Sequence, residues 1–322
     1  MNSRLPDWSQ GTQVDAWIRS LRPNLNRERD ALSAVRPSLC LTEIEPDSTG
    51  LTKVCRTVFL TNRECPWHCL MCDLWRQTSL HPLPSGSIPQ QIRFALEGAA
   101  PADWLKLYNA GSFFDAGAIP RSDHPIIAEL CRPFQRVIVE CHPSLVGDRI
   151  RDFQERLGKT QLEVALGLET AHPELLTRLN KGMTLDDFAW AAGFLRLAGV
   201  EMRAFVLVKP PFQSESEALE WAVRSAEFAF DAGVGVVSLI PTRSGNGALE
   251  ELSRSGEFAE PSLELLEAAF DQVLQLRRGR VFADLWDLDR FRNGAPDFEK
   301  RRDRLTLMNL TQSVLPRIGS SQ

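Results

Sequence analysis

The sequence predicts an α/β protein in which parallel strands form a complete or partial (β/α) barrel. Two observations lead to this prediction. Short β-branched runs alternate with helical patterns from residue 53 onward, and polar, Gly or Pro residues follow most of these runs. Such alternation is the signature of βαβ units and a parallel sheet. A chain of 322 residues is long enough for a barrel to form as one domain.

The β-branched runs give the strands, and the amphipathic stretches between them give the helices. Strands are predicted at 54–60, 104–108, 136–140, 162–168, 201–208 and 234–240, with a further one at 281–285. The helices between them are predicted at 90–97, 124–130, 145–157, 185–197, 215–230 and 261–277. In such barrels the chemistry lies at the carboxyl ends of the strands.

Three regions are expected along the chain. Residues 1–50 form a helical N-terminal extension with helices at 13–20 and 27–35, residues 51–286 form the barrel, and residues 287–322 form a C-terminal extension with a helix near 305–315. The basic cluster at 300–304 has two interpretations: a solvated helix face or a contact with a phosphate backbone.

Composition and charge restrict the class of protein. Hydrophobic residues make up 43% and charged residues 25% of the chain, as in ordinary soluble globular proteins. The formal net charge of -5 leaves nucleic-acid binding to a local basic patch. No apolar run reaches the roughly 18 residues of a membrane span, and the polar N-terminus is not a secretory signal. We therefore expect a cytoplasmic protein without membrane contact, in which the cysteines stay reduced.

Cys65, Cys69 and Cys72 have the spacing C-x3-C-x2-C directly after the first predicted strand. Thiolates select zinc, copper(I) or iron-sulfur clusters over hard cations. Three cysteines without a fourth nearby would leave one iron of a 4Fe-4S cube open to a ligand. Zinc bound with the help of His68, a dithiol redox pair and inert buried thiols are the alternatives.

The cysteine spacing, together with the preceding strand, resembles the cluster motif of the radical S-adenosylmethionine (radical SAM) superfamily. Further segments are similar to the branch that contains the Elongator catalytic subunit and the archaeosine synthase radical SAM subunit. These segments are 108–115, 139–140, 167–170, 180–184 and 209–212. The resemblance covers roughly residues 52–255 and adds to the barrel prediction.

The resemblance implies a reaction and its cofactors. Cys65, Cys69 and Cys72 would ligate a 4Fe-4S cluster, and S-adenosyl-L-methionine would chelate the fourth iron. An electron from a donor such as flavodoxin or ferredoxin would cleave the cofactor to a 5'-deoxyadenosyl radical, which abstracts hydrogen from a substrate. The resemblance favours a modified nucleobase in tRNA as substrate and allows a partner enzyme. A small-molecule or peptide substrate, and a non-enzymatic metal-binding protein, are the alternatives.

Five residues are candidates for binding the cofactor. Glu140 and Glu169 end two predicted strands, where similar enzymes meet the ribose hydroxyls and the amino group, and carboxylates suit both partners. A purely structural pairing with Arg or Lys is the alternative for both. Gly111 allows a close backbone approach, and Met71 has a thioether suited to covering the adenine ring. Lys209 is a candidate for holding the methionine carboxylate or a substrate phosphate. No catalytic side chain is predicted.

Overall fold

One sheet organises the chain. The computed structural model describes residues 5–292 and 297–319, and these residues contain an eight-stranded sheet in which neighbours follow chain order. β1 is antiparallel to β2, and each later pair of neighbours is parallel. The strands are β1 (Leu39–Pro46), β2 (Thr52–Leu60), β3 (Trp104–Asn109), β4 (Arg136–Cys141), β5 (Gln161–Glu169), β6 (Glu201–Val208), β7 (Val236–Pro241) and β8 (Arg280–Ala283).

Most helices cover one face of this sheet and pack mainly between consecutive strands, and others pack around the loop that follows β2. They are α1 (Gly11–Leu21), α2 (Asn26–Asp30), α3 (Ser87–Leu96), α4 (His124–Cys131), α5 (Asp148–Leu157), α6 (Pro173–Arg178), α7 (Leu185–Leu197), α8 (Glu215–Asp231), α9 (Ala248–Arg254), α10 (Leu263–Gln275) and α11 (Phe298–Thr311). Capping boxes at Thr184 and Ser214 start α7 and α8. Among the described residues β1 and β8 are the two edges of the sheet, so the prediction of a partial (β/α) barrel is confirmed.

The seven predicted strands are all present, and their bounds differ from the prediction by at most two residues. The sequence did not predict β1, which lies in the region expected to be a helical extension. Glu43 and Glu45 interrupt the apolar pattern of this strand. Their partner Lys106 comes from β3, with its Nζ 2.5 Å from Glu45 Oε1 and 3.1 Å from Glu43 Oε2. The two glutamates are compatible with a strand because Lys106 pairs with them in the folded protein. The local sequence of β1 does not reveal this pairing.

The two faces of the sheet differ in chemistry. The outer face and the helices share a large apolar cluster. The inner face carries a smaller one, which contains Cys55, Trp104, Ile138 and Ala165. Side chains alternate between the faces along each strand, so Glu140 lies on the same face as Ile138, in the barrel interior. The register shift between Gly167 and Glu169 interrupts this alternation at the end of β5, and Glu169 is directed instead toward Lys181.

A buried ionic layer crosses the interior near the amino ends of the parallel strands. Arg203 donates to Glu45 Oε2 at 2.7 Å and to Glu163 Oε1 at 2.8 Å, and Arg136 NH1 lies 2.5 Å from Glu163 Oε2. Burial acts to raise the pKa of Glu45 and of Glu163, but arginine charges lower both, and the charge of Lys106 lowers that of Glu45 as well. The layer closes the end of the barrel opposite the cysteines.

The basic cluster at 300–304 lies in α11 and is mostly paired. Arg301 is 5% exposed and contacts Glu267 at 2.6 Å, and Arg304 is 4% exposed and contacts Asp271 at 2.6 Å. These two arginines are therefore structural, and the interpretation as a phosphate contact is wrong for them. No helix in residues 5–292 and 297–319 is both long and apolar enough to cross a membrane.

We predict that Arg203→Met destabilises the fold strongly. The substitution leaves Glu45 and Glu163 buried without their shared cation, and removing one partner of a buried ion pair costs about 3–5 kcal/mol. Arg224→Met is the matched control, because Arg224 pairs with Glu220 where both side chains are 54% exposed, and such pairs contribute about 1 kcal/mol or less. Urea denaturation midpoints measure both. Equal midpoints for the two variants would contradict a structural role for the layer.

Candidate metal and cofactor site

The three cysteines lie on the loop after β2, at the edge where the parallel strands end. Cys69 is buried, and Cys65 and Cys72 are half-buried. Burial raises the pKa of Cys65 to about 11 and that of Cys69 and Cys72 to about 12. Metal ligands are thiolates, so ligation here depends on the positive charge of the bound metal itself.

The chemistry of the donor set, three thiols, suits an iron-sulfur cluster. The described ranges contain no group of three or more His, Cys, Asp or Glu placed to hold one metal ion. Zinc would require all its ligands within about 2.3 Å of one point. The thiols of Cys65, Cys69 and Cys72 nevertheless interact electrostatically with one another. Three thiols on separate irons of a cube lie further apart than ligands of one ion, and thiolates are the usual ligands of such clusters.

Backbone contacts from distant segments hold this cysteine loop. Leu70 donates its N–H to the carbonyl of Leu179 at 2.9 Å. The side-chain amide of Asn180 donates to the carbonyl of His68 at 2.9 Å, and that of Asn246 donates to the carbonyl of Leu70 at 2.6 Å. The loop conformation is therefore set by the segments that follow α6 and β7.

The N-terminal helices hold the same loop from another side. Glu64, beside Cys65, contacts Arg22 at 2.5 Å and Arg29 at 2.8 Å, and His68 Nδ1 lies 2.6 Å from Asp15. Burial acts to raise the pKa of Glu64, but hydrogen bonds from His68 and Arg22 and the arginine charges lower it to about 2. The N-terminal segment is thus part of the site's framework.

Two glycines permit close packing around the cysteine loop. Gly111 has φ 142°, and a Cβ added there would lie 3.1 Å from the Cβ of Cys65. Gly182 has φ 70°, and a Cβ there would lie 2.7 Å from Trp67. The Trp67 ring stacks on His142 with centroids 3.8 Å apart. Any larger residue would push against the loop, so these positions require glycine.

A buried ion pair lies beside the thiols. Lys181 Nζ contacts Glu169 Oε1 at 2.6 Å, and the charge of Lys181 acts on all three cysteines. A register shift at the end of β5 and a φ of 66° at Glu169 set the direction of this carboxylate. A Cβ at Gly167 would lie 2.4 Å from both charged atoms. The pair therefore fills the space above Gly167.

Glu140 and Asn109 leave polar groups available in the interior. Burial raises the pKa of Glu140 to about 8, so this carboxyl is largely protonated at neutral pH. Its Oε2 accepts the backbone N–H of Asn109 at 3.0 Å. The side-chain amide of Asn109 is buried, and neither Oδ1 nor Nδ2 has a hydrogen-bond partner among the described residues. Buried polar atoms are normally paired, so this amide fits a polar ligand at the site.

The structure brings together some predicted residues and not others. Gly111 contacts Cys65, and Glu140 and Glu169 interact electrostatically. Met71 packs against the apolar cluster around α1 and α9. Lys209 Nζ lies 3.4 Å from Glu215, at the start of α8. The cofactor roles of all five, and the cluster role of the cysteines, stay predictions.

Sequence reasoning assigned no role to Lys181, Asn180 or Asn246. Lys181 and Asn180 belong to segment 180–184, which carried part of the resemblance. That shared segment was the available signal for the lysine. Nothing in the loop after β7 distinguished Asn246 from an ordinary polar loop residue, because its contact lies 176 residues away.

Comparisons with known proteins agree with the resemblance. No protein-family model matches the chain. The archaeosine synthase subunit beta of Methanosarcina acetivorans is 27% identical over 219 residues, which are 64% of this chain and 63% of that protein. The archaeosine synthase subunit beta of Thermococcus kodakarensis is 31% identical over 166 residues, which are 49% of this chain and 51% of that protein. The predicted resemblance to the archaeosine-type branch is confirmed.

The chain spans less than two thirds of the length of each of these curated relatives. It covers 63% of the Methanosarcina protein and 51% of the Thermococcus protein. Among solved structures, that of methylornithine synthase has a TM-score of 0.49 and 13% identity, and the match covers 96% of this chain and 94% of that one.

We predict that Glu140→Gln removes a pH-dependent loss of stability. The pKa of Glu140 in the folded protein is raised above the usual 4.5 to about 8. The contribution of its neutral form to the stability of the fold is therefore fully present below pH 4.5 and is lost as the pH rises through about 8. Glutamine does not ionise, and each pKa unit corresponds to about 1.4 kcal/mol. In the metal-free protein, the urea denaturation midpoint of the variant should exceed that of the parent by more at pH 9 than at pH 5. The exposed Glu220→Gln is the control; the same difference at both pH values for Glu140→Gln would refute the prediction.

We also predict that Gly167→Ala destabilises the protein, because the new methyl group displaces Lys181 and Glu169 from each other. Overpacking of this kind costs about 1–3 kcal/mol. Gly193→Ala is the matched control, since a Cβ there meets nothing within 4 Å and alanine in a helix is favoured by up to about 1 kcal/mol. Denaturation midpoints should move in opposite directions for the two variants. A shift in the same direction would show that the ion pair adapts freely.

Proposed function

We propose that this protein is a radical SAM enzyme that abstracts hydrogen from a modified nucleobase in tRNA. Cys65, Cys69 and Cys72 would hold a 4Fe-4S cluster, and S-adenosyl-L-methionine would bind beside it. The curated relatives are named as archaeosine synthase subunits, which supports both the reaction class and the RNA substrate. Their name as a subunit supports a partner enzyme, and the chemistry requires an electron donor such as flavodoxin or ferredoxin.

One observation carries the proposal: the three thiols share a sheet edge with polar groups that have the right chemistry for the cofactor. The cysteine loop follows β2, and Gly111, Glu140 and Glu169 follow or end the next three strands. In parallel barrels this edge is where active sites lie. A zinc protein or a set of inert thiols gives no reason for Asn109 to keep an unpaired buried amide beside the loop.

The chain's own residues would prepare the site in three ways. When bound, the cluster and S-adenosyl-L-methionine supply the electron transfer and radical chemistry. Glu169 and Lys181 present opposite charges side by side, which suit the amino and carboxylate groups of an amino acid. Glu140, held protonated by burial, donates or accepts hydrogen bonds without adding charge. The N-terminal helices pack against the cysteine loop, which would limit the access of water to a reactive site.

The experiment uses anaerobic protein reconstituted with iron and sulfide, then reduced and supplied with S-adenosyl-L-methionine. We expect 5'-deoxyadenosine, detected by mass, from the parent protein and from the control Cys40→Ala. The triple variant Cys65→Ala, Cys69→Ala, Cys72→Ala should give none and should lose the bound iron. A well-loaded cluster that yields no 5'-deoxyadenosine with or without tRNA, or a preparation that takes zinc and refuses iron, would reject the proposal.

The proposal that tRNA is the substrate is tested separately. Filter binding at low salt should detect tRNA binding that weakens as salt increases, because phosphate contacts release counterions. Formation of 5'-deoxyadenosine without any affinity for tRNA at low salt would keep the reaction class and favour a small-molecule or peptide substrate.

A further inference from the structure

A separate cavity opens beside the candidate site, between α6 and the start of α8. Its volume is about 90 Å³, and the side chains that line it include His172, Arg178, Phe212, Gln213 and Trp221. His172 follows Glu169 by three residues, and Phe212 follows Lys209 by three residues. The cavity therefore lies at the same edge of the sheet as the cysteine loop but is lined by different residues.

Two side chains of the cavity carry buried polar atoms without partners. Gln213 Oε1 and Nε2, and Arg178 Nε, are buried and lack hydrogen bonds in the part of the chain that the structure describes. Burial lowers the pKa of Arg178, and the charge of Glu257 acts against this shift. Buried polar atoms are normally paired with protein or water, so the two ends of this carboxamide can offer a donor and an acceptor to an occupant of the cavity.

Flat groups form much of the lining. The guanidinium of Arg178 lies 3.4 Å from the centroid of the Phe212 ring, and the rings of His172 and Trp221 lie 4.4 Å apart. Aromatic rings and arginine planes are the surfaces on which proteins stack unpaired bases of RNA. The lining thus favours a planar occupant.

The charges around the cavity select against an anion. The carboxylates of Glu174 and Glu217 also line it, so a phosphate or carboxylate would meet two like charges. Gln213 and Arg178 together with these carboxylates offer donors and acceptors at once, which is what the edge of a nucleobase requires. A neutral, planar group with mixed hydrogen-bonding edges therefore fits best.

We propose that this cavity binds one unstacked nucleobase of the RNA substrate, adjacent to the nucleotide presented to the cysteine loop. The proposal rests on the RNA half of the proposed function. Glu169 at the end of β5 pairs with Lys181 beside the thiols, and His172, three residues further on, lines the cavity. One RNA strand crossing this edge can therefore reach both. The base would be read by Gln213 and stacked by the flat side chains, and its phosphates would stay outside.

The test compares tRNA affinities at one fixed salt concentration for Gln213→Leu, Arg178→Met and the control Trp190→Leu. Trp190 is an aromatic residue of α7 that is 59% exposed and lies outside the cavity lining. Stacking and pairing of one base are worth about 1–3 kcal/mol, so each cavity variant should bind tRNA at least about fivefold more weakly. The control should bind like the parent. Circular dichroism and thermal midpoints show whether each variant is folded; Gln213→Leu tests the idea even if Arg178→Met fails to fold.

Ultraviolet crosslinking supplies a second readout. A nucleotide crosslinked to the peptide that contains residues 212–221 is expected for the parent and should be reduced in Gln213→Leu. If the parent binds tRNA and both folded cavity variants bind it equally well, the cavity holds only water and this proposal is overturned while the proposed function stands. If the parent forms 5'-deoxyadenosine but does not bind tRNA, the RNA substrate and this site both fall.

Discussion

The central constraint on this protein is that its three candidate ligands lie on a loop that regular secondary structure does not fix. Every buried backbone N–H and C=O of such a loop needs a partner, and here the partners come from far along the chain. Leu179 and Asn180 contact the loop from one side, and Asn246 contacts it from another. Arg22 and Arg29 reach it from the N-terminal helices. The position of the thiols is consequently a property of the whole barrel.

The barrel interior divides into two layers with different electrostatic balance. Near the amino ends of the strands, Glu45, Arg203 and Glu163 compensate one another. Near the carboxyl ends, burial outweighs the charge of Lys181 and raises the pKa of Glu140, and the amide of Asn109 has no hydrogen-bond partner among the described residues. Proteins that violate local rules usually do so at functional sites. The contrast separates the part of the interior that stabilises the fold from the part in which we propose that the cofactor binds.

The sequence was informative wherever the signal was local. The β-branched runs located β2 to β8 within two residues, and the spacing of Cys65, Cys69 and Cys72 marked the candidate ligands. β1 was missed because Glu43 and Glu45 look unsuitable for a strand until Lys106 and Arg203 stand opposite them. Asn246 and Lys181 were missed as site residues because their importance comes from contacts that only the folded chain creates. The sequence could not decide between the two interpretations of the basic cluster in α11 for the same reason, since only the fold pairs Arg301 with Glu267 and Arg304 with Asp271.

The antiparallel direction of β1 has a consequence for the biogenesis of the protein. Leu39 begins β1 opposite Phe59 near the carboxyl end of β2, so the N-terminal helices are delivered to the same edge as the cysteines, where α1 packs against α9. On the ribosome, α1 and the cysteine loop emerge long before Asn246 and α9, which complete their surroundings. Contacts of such high sequence separation form late. We therefore expect the nascent chain to accept the proposed cluster only after most of the barrel has been synthesised, which would leave the thiols exposed to oxidants during much of translation.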